Sequence, residues 1–161
     1  MTVHDGLLEI WREAVRPDWC DYNNHLNMSY YILIFDHGTD RFHAELGLDK
    51  DYRLSVGCSI FAVETHTNYL AEVHEGDEVC VTTQLLGFDE KRLHYFHRMH
   101  HADRGFLSAT TEIMTVHVDL DARKVVPMAD HIRAKAAELF AVHKNLPRPE
   151  QAGRSIGIVR K

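Results

Sequence analysis

A short polar segment, residues 21–27, contains the groups in this chain that are best placed to do chemistry. Asp21 is followed by Asn23, Asn24, His25 and Asn27, so one carboxylate, three amides and one imidazole fall within seven residues. A carboxylate can attack an activated carbonyl such as a thioester, or remove a proton from the water that does so. Asparagine and histidine can orient that water or donate to the leaving thiolate. Asp21, Asn23 and His25 are therefore the candidate catalytic residues.

The same residue types also have a purely structural use. Asn, Asp and His are common in turns and at helix starts, where their side chains bond to the backbone. The alternative interpretation is a capping loop without a catalytic role. The aromatic neighbours Trp19 and Tyr22 favour a site, and thioesters are reactive enough to need no metal.

The residues that follow predict an amphipathic helix of about 20 residues. Asn27 or Asn24 can cap its start, and Gly47 can end it in a left-handed conformation. A helix N-terminus presents free N–H groups and a partial positive charge, so the amides near Asn27 and Met28 could polarise a carbonyl beside Asp21. The apolar residues recur at spacings of three and four: Tyr31, Ile34, Phe35, Gly38, Phe42 and Leu46.

Strands are predicted on either side of this helix. A first strand covers residues 7–15 and stops at Pro17. After residue 55 the apolar period becomes two, which is typical of strands. A second helix is predicted at about 129–143. The later strands fall near 57–70, 78–87, 91–101 and 105–119.

This order of elements predicts an α+β hotdog fold. A single sheet covers one long helix only if it curls around that helix, so we expect a central helix wrapped by a curved antiparallel sheet of about five strands, plus a C-terminal helix. Ordinary α+β domains share this order of elements. We expect one domain over residues 1–146 and an irregular tail over 147–161.

The composition restricts the possible functions. The 161 residues fit one domain, with 45% apolar and 26% charged residues. The net charge of −6 argues against a nucleic-acid partner. No apolar run approaches the ~20 residues that a membrane helix requires, and the acidic N-terminus does not resemble a signal peptide. Three scattered cysteines indicate reduced thiols and a cytoplasmic protein.

The run from Trp19 to Asn27, W-x-D-x-N-x-H-x-N before a Tyr-rich helix, resembles hotdog acyl-CoA thioesterases. It is similar to the 4-hydroxybenzoyl-CoA thioesterase group, in which an Asp in this loop is catalytic, and this likeness places that role on Asp21. The D-x-N-x-H motif of plant acyl-carrier-protein thioesterases implies roles for Asn23 and His25. Those enzymes add a Glu-Cys pair, but here Val73 follows Glu72, so no cysteine role is implied and that of Glu72 is in doubt.

A longer resemblance covers the polar loop and residues 65–105, and it points to the betainyl-CoA thioesterases of carnitine breakdown. It implies hydrolysis of betainyl-CoA to glycine betaine and CoA, with no cofactor beyond the CoA of the substrate. Family likeness also implies a homodimer or homotetramer. The alternatives are a thioesterase for another short or medium acyl-CoA, an acyl-CoA dehydratase or hydratase, and a non-catalytic hotdog protein that binds acyl-CoA or betaine.

That substrate would require a site for trimethylammonium. This cation donates no hydrogen bond and is best bound by aromatic faces with a carboxylate nearby. Tyr31 and Phe61 are further aromatic candidates, for which packing in the core is the alternative, and Asp36 and Asp40 are alternative counter-charges. The candidate substrate-binding residues are Trp19, Tyr22, Asn27, Tyr30 and Glu64.

Basic residues are candidates for binding the CoA phosphates, because arginine suits phosphate through its planar fork of donors. Arg92 and Arg98 share one face of a predicted strand, and Lys91 adjoins them. The C-terminal pair Arg160 and Lys161 is the competing candidate.

Four histidines on one predicted strand raise the question of a metal site. Only residues an even number apart share a strand face, so His94 is paired with His100, and His97 with His101. Neither pair has a third ligand at zinc spacing, and we expect no metal.

Overall fold

The computed structural model describes residues 3–4 and 6–158. The helices are α1 (Met28–Leu46), α2 (Lys50–Val56) and α3 (Asp130–His143), and a single 3-10 turn covers Pro17–Trp19. The strands are β1 (Val3–His4), β2 (Leu7–Ala14), β3 (Cys58–Tyr69), β4 (Glu78–Phe88), β5 (Arg92–His101), β6 (Leu107–Asp119) and β7 (Lys124–Val125).

The strands form one antiparallel sheet. Their order is β1-β2-β4-β5-β6-β3, and the short β7 pairs with the end of β6. Val81 lies opposite Met99, and Tyr95 lies opposite Ile113. Five strands are long, as predicted. Strands β1 and β7 have two residues each and were not predicted. β3 pairs only with β6 within the described chain, so its other edge is open.

Helix α1 lies against the concave face of this sheet, and its predicted bounds are confirmed. Asn27 caps its start, because Asn27 Oδ1 accepts a hydrogen bond from Ser29 N at 3.0 Å. Gly47 ends it with φ of 86°, in the left-handed region that favours glycine. The apolar stripe of α1 is buried, as expected from its spacing: Tyr31, Ile34, Phe35, Phe42 and Leu46.

The core consists of two apolar clusters along this helix. One surrounds the start of α1 and includes Trp19, Leu26 and Val73. The other joins the end of α1 to α2, α3 and β5, and it includes Tyr95 and Ile132. The first cluster fixes the loop before α1 against the segment that follows β3, which positions the candidate site.

Helix α2 was not predicted, for a physical reason. It has seven residues, which is too short to establish an apolar period. Local and tertiary bonds stabilise it instead: Asp49 Oδ1 accepts from Tyr52 N at 2.9 Å, and Tyr52 OH lies 3.0 Å from His117 Nε2.

Residues 144–158 leave α3 and cross the face of the sheet that is opposite α1. Gln84 Nε2 donates to Pro147 O at 3.3 Å, and Gly153 N donates to Glu112 Oε2 at 2.6 Å. This segment contains turns but neither helix nor strand. Between residues 6 and 158, no helix is both long enough and apolar enough to span a membrane.

Candidate active site

The loop that carries Asp21 is a tight turn closed by backbone hydrogen bonds. Cys20 and Leu26 form an isolated antiparallel bridge, Asp21 N donates to His25 O at 3.0 Å, and Asn24 N donates to Asp21 O at 2.9 Å. Asn24 has φ of 66°, a conformation that Asn tolerates better than most residues. The polar sequence of this loop therefore has a structural use as well as a chemical one.

Asp21 occupies the start of the turn and is half-buried. Its Oδ1 accepts a hydrogen bond from Asn23 N at 2.8 Å. Among residues 6–158 no ion pair involves this carboxylate, and Oδ2 is not one of the buried side-chain atoms that lack a partner, so Oδ2 is open to water or substrate. A carboxylate with one oxygen fixed and the other open can act as a base or as a nucleophile.

The helix start beside Asp21 offers one backbone amide rather than two. Asn27 N donates to Trp19 O at 2.9 Å, so the expectation that it polarises a substrate carbonyl is wrong. Ser29 N donates to Asn27 Oδ1, so the side-chain oxygen of this predicted substrate-binding residue serves as the helix cap. Met28 N is in the first turn of α1 and has no partner within the helix. It is the remaining candidate donor to an oxyanion.

A cavity of about 270 Å³ lies next to this helix start. Within it, His25 Nε2 lies 3.4 Å from Glu72 Oε2, which brings a predicted catalytic imidazole against the carboxylate whose role was in doubt. Asp21 is not among the lining residues, which are His25, Leu26, Met28, Tyr31, Tyr69, Leu70, Ala71 and Glu72.

Tyr31 and Tyr69 form the aromatic part of this cavity. Their rings meet edge to face with centroids 5.2 Å apart, and Tyr69 OH donates to Met28 O at 3.4 Å. Burial raises the pKa of both hydroxyls, so the rings stay neutral. Tyr31 was one of the predicted aromatic candidates, with packing in the core as the alternative. Tyr69 was not predicted, because a single Tyr at the end of a strand carries no pattern.

The predicted cation cage is not assembled within this chain. Trp19 is buried, stacks on Tyr30 with centroids 5.4 Å apart, and has the Arg16 guanidinium 4.6 Å from its ring centroid. Tyr22 is 97% exposed, on the outside of the loop. Trp19 and Tyr30 therefore mainly pack against each other, and the sequence spacing did not reveal that Tyr22 points away.

Glu64 is also distant from the polar loop. It is five residues before Tyr69 on β3, which is ~16 Å along a strand. It lines a separate cavity of about 220 Å³ together with His66, His94 and Glu112. Nothing in the structure brings Glu64 to Asp21 of the same chain.

The three basic candidates occupy two places. Lys91 lies in the turn before β5 and Arg92 is the first residue of that strand, where Arg92 Nε donates to Asp89 Oδ2 at 2.7 Å. Arg98 shares the sheet face of Arg92 but lies under the C-terminal segment, and its Nη2 donates to Gln84 Oε1 at 3.0 Å. Arg160 and Lys161 lie outside the described residues.

The histidines of β5 have separate surroundings. His94 Nε2 lies 2.7 Å from Glu112 Oε1, on the face opposite α1. His97 is fully buried between Thr39 and Thr83, at 3.0 and 2.7 Å. Within the described part of the chain, no three His, Cys, Asp or Glu side chains are arranged to bind a metal ion.

Comparison with known proteins identifies the family. The profile of the thioesterase-like superfamily matches residues 15–136. A betainyl-CoA thioesterase from Pseudomonas aeruginosa is 41% identical over 152 residues, covering 94% of this chain and 96% of that protein. An L-carnitine dehydrogenase/betainyl-CoA thioesterase from Ruegeria pomeroyi is 41% identical over 143 residues, covering 89% of this chain but only 29% of that longer protein.

A solved structure extends the likeness to the fold. A hypothetical protein from Staphylococcus aureus, solved in complex with CoA, superposes with a TM-score of 0.89 at 28% identity, covering 95% of this chain and 97% of that one. The predicted hotdog arrangement and the family expected from the run around Asp21 are both confirmed. The chain belongs to the thioesterase-like superfamily.

Proposed function

We propose that this protein hydrolyses betainyl-CoA to glycine betaine and CoA, with Asp21 as the central catalytic residue. The observation that carries this proposal is the open Oδ2 of Asp21, held on a fixed turn directly before the N-terminus of α1. The near full-length similarity to a betainyl-CoA thioesterase supports the substrate.

In the proposed reaction, the thioester carbonyl lies at the start of α1. The Met28 amide stabilises the negative charge that develops on the carbonyl oxygen. Asp21 either takes a proton from the water that attacks the carbonyl carbon, or attacks that carbon itself and forms an acyl-aspartyl anhydride, which a water then hydrolyses to release glycine betaine and restore the carboxylate. The carbon–sulfur bond then breaks, and CoA leaves as a thiolate that receives a proton. Asn23 and His25 orient the water and the carbonyl.

The acyl group is proposed to lie in the cavity beside Tyr31 and Tyr69. Their rings supply aromatic faces for the trimethylammonium cation, and Glu72 supplies a negative charge at the same wall. A cation over aromatic faces gains ~2 kcal/mol or more when desolvated. Tyr69, which is 45% exposed, therefore replaces Trp19 as the aromatic residue to test.

The other proposals concern the wider molecule. Lys91, Arg92 and Arg98 are proposed to attract the CoA phosphates, and no cofactor is required besides the CoA of the substrate. Three free cysteines support a cytoplasmic protein. The open edge of β3 supports a homodimer or homotetramer.

A hydrolysis screen tests the substrate. It compares betainyl-CoA with an isostere that carries tert-butyl in place of trimethylammonium, and with medium-chain acyl-CoAs. We expect kcat/KM for betainyl-CoA to exceed that for the isostere by at least about tenfold, and Tyr69→Leu to remove most of this difference. A preference for medium-chain acyl-CoAs would exclude betainyl-CoA as the substrate, while the assignment as a thioesterase would stand. Binding of acyl-CoA without any hydrolysis would indicate a non-catalytic binder.

A further inference from the structure

Glu72 lies between two histidines at the wall of the cavity. Its Oε2 is 3.4 Å from His25 Nε2, and its Oε1 is 3.9 Å from His74 Nε2. The two imidazole rings meet edge to face with centroids 5.9 Å apart. We infer that His74 is a positioning residue, which holds Glu72 against His25; this inference rests on the function proposed above.

The backbone around His74 is fixed, so its ring has a defined place. Leu26 N donates to Val73 O at 2.9 Å, and Val73 is fully buried. This bond ties the segment after β3 to the loop that carries His25. His74 N donates to Asp77 Oδ2 at 2.9 Å, and Asp77 N donates back to His74 O at 3.1 Å. Residues 74–77 therefore form a closed turn beside the catalytic loop.

Asp77 keeps a negative charge on the far side of the His74 ring. Burial disfavours ionisation of Asp77, but the His74 amide and the nearby His101 and Arg104 outweigh it and lower the pKa of its carboxyl. Its Oδ2 lies 3.8 Å from His74 Nδ1. The two ring nitrogens of His74 thus face different carboxylates: Nδ1 faces Asp77 and Nε2 faces Glu72.

This arrangement assigns one oxygen of Glu72 to each histidine. The Glu72 side chain is 62% exposed, and the two histidines are its ion-pair partners within residues 6–158. A carboxylate facing one nitrogen of an imidazole fixes the tautomer and the ring orientation. His25 Nε2 lies 3.4 Å from Glu72 Oε2, so in the inferred arrangement Nε2 donates to Glu72 and Nδ1 is left to accept a proton. Without His74, Glu72 would turn towards solvent and His25 would lose this constraint.

Two substitutions of His74 distinguish the role of its Nε2 contact from that of its Nδ1 contact. A glutamine amide reproduces Nε2 and keeps the contact to Glu72, whereas an asparagine amide reproduces Nδ1 and keeps the contact to Asp77. His74→Asn should lower kcat for betainyl-CoA by about tenfold with KM within about twofold, in the range of coupling within one polar network. His74→Gln should keep at least about half of kcat. The half-buried His66 lies in the separate cavity with Glu64, so His66→Asn and His66→Gln are matched controls.

A double-mutant cycle tests whether His74 acts through Glu72. If it does, His74→Asn should add no further loss of kcat to Glu72→Gln, because the contact is already absent. Additive losses, equal effects of Asn and Gln at residue 74, or a loss of kcat that only follows a lower Tm would each overturn the inference.

A measurement without substrate keeps the inference separate from the proposed function. In protein labelled with 15N-histidine, NMR reports the tautomer of each imidazole. We expect the His25 ring signals to move in His74→Asn and to stay in place in His74→Gln. An unchanged His25 tautomer in both variants would overturn the positioning role. If the wild-type protein hydrolyses no acyl-CoA but the His25 signals still move in His74→Asn, only the proposed function is overturned.

Discussion

At the scale of single residues, the loop before α1 separates a chemical role from a structural one. The backbone N–H of Asn23 closes the turn on Asp21 Oδ1, while the Asn23 side chain is exposed. Substitution of this side chain therefore leaves the turn bond in place. The His25 imidazole likewise contacts Glu72 while the His25 backbone oxygen accepts from Asp21 N. Activity and stability should then respond differently to substitution.

We predict that Asn23→Ala and His25→Ala lower kcat more than they raise KM. The reason is that side chains that orient water act mainly in the transition state, whereas uniform binding would appear in KM. Steady-state kinetics and Tm measured on the same preparations check this. If kcat is unchanged and Tm is clearly lower, both residues only stabilise the loop and have no catalytic role.

A second residue-scale prediction concerns the histidines buried in the core. Burial lowers the pKa of His97 to about 3 and that of His43 to about 4, below the ~6.5 of an unfolded chain. The unfolded chain therefore binds protons first as pH falls. Stability is kept above pH ~6.5 and lost below it, by about 2 kcal/mol for each histidine at pH 5.

Urea unfolding at pH 7 and pH 5 measures this loss. The carboxyls with lowered pKa values, such as Asp77 and Glu112, lose their contribution mainly below pH ~4, so this window isolates the histidines. His43→Gln should remove about 2 kcal/mol of the difference between the two pH values, and the remainder comes from His97 and from His143, whose pKa is also lowered by burial. Equal stability of the wild-type protein at both pH values would show that these histidines are not held neutral.

At the scale of elements, the start of α1 links the fold to the site. Asn27 Oδ1 caps Ser29 N, and Asn27 N anchors the helix start to Trp19 O. Asn27→Ala should lower the free energy of unfolding by about 1 kcal/mol, and Asn27→Asp should restore most of it, because both Asn and Asp accept the cap hydrogen bond. Chemical denaturation of the three proteins checks this. Equal stability of the alanine variant and the wild type would contradict a capping role.

The bounds of the long elements were predictable because their periods are unbroken over many residues. Tyr31 to Leu46 of α1 keep the helical spacing, and Leu93 to Met99 of β5 keep the alternation of a strand. Helix α2 was missed because its Asp49 cap and its Tyr52–His117 contact are invisible as a period. Tertiary contacts, not local pattern, determine such short elements.

The site was predictable only in part for the same reason. Asp21, Asn23 and His25 stand in one short segment, and the turn keeps them together. Glu72 and Tyr69 reach the cavity from another part of the chain, and no spacing along the sequence reveals that approach. Aromatic residues near Asp21 were expected to face a ligand, but the Trp19 side chain is buried in the core.

At the scale of the whole molecule, the open edge of β3 is the feature that a second copy would cover. Phe61 is 44% and Val63 58% exposed on this strand, and an unpaired edge with apolar residues favours pairing with another strand. We predict that the molar mass measured by light scattering corresponds to at least a dimer, and that Val63→Lys shifts the equilibrium towards the monomer. Val142→Lys on α3, where Val142 is 62% exposed, is the matched control. A monomeric wild-type protein would contradict the proposed oligomer.

The most direct test of the whole account is the hydrolysis of betainyl-CoA by Asp21→Asn. Asparagine at this position still accepts the hydrogen bond from Asn23 N, so the turn should survive while the open carboxylate is lost. Asp18→Asn, which removes an exposed acid three residues earlier, controls for the change in charge. We predict that Asp21→Asn lowers kcat by ~100-fold or more, with Tm unchanged and Asp18→Asn close to wild type. A folded Asp21→Asn protein with near wild-type turnover would contradict the central role of Asp21.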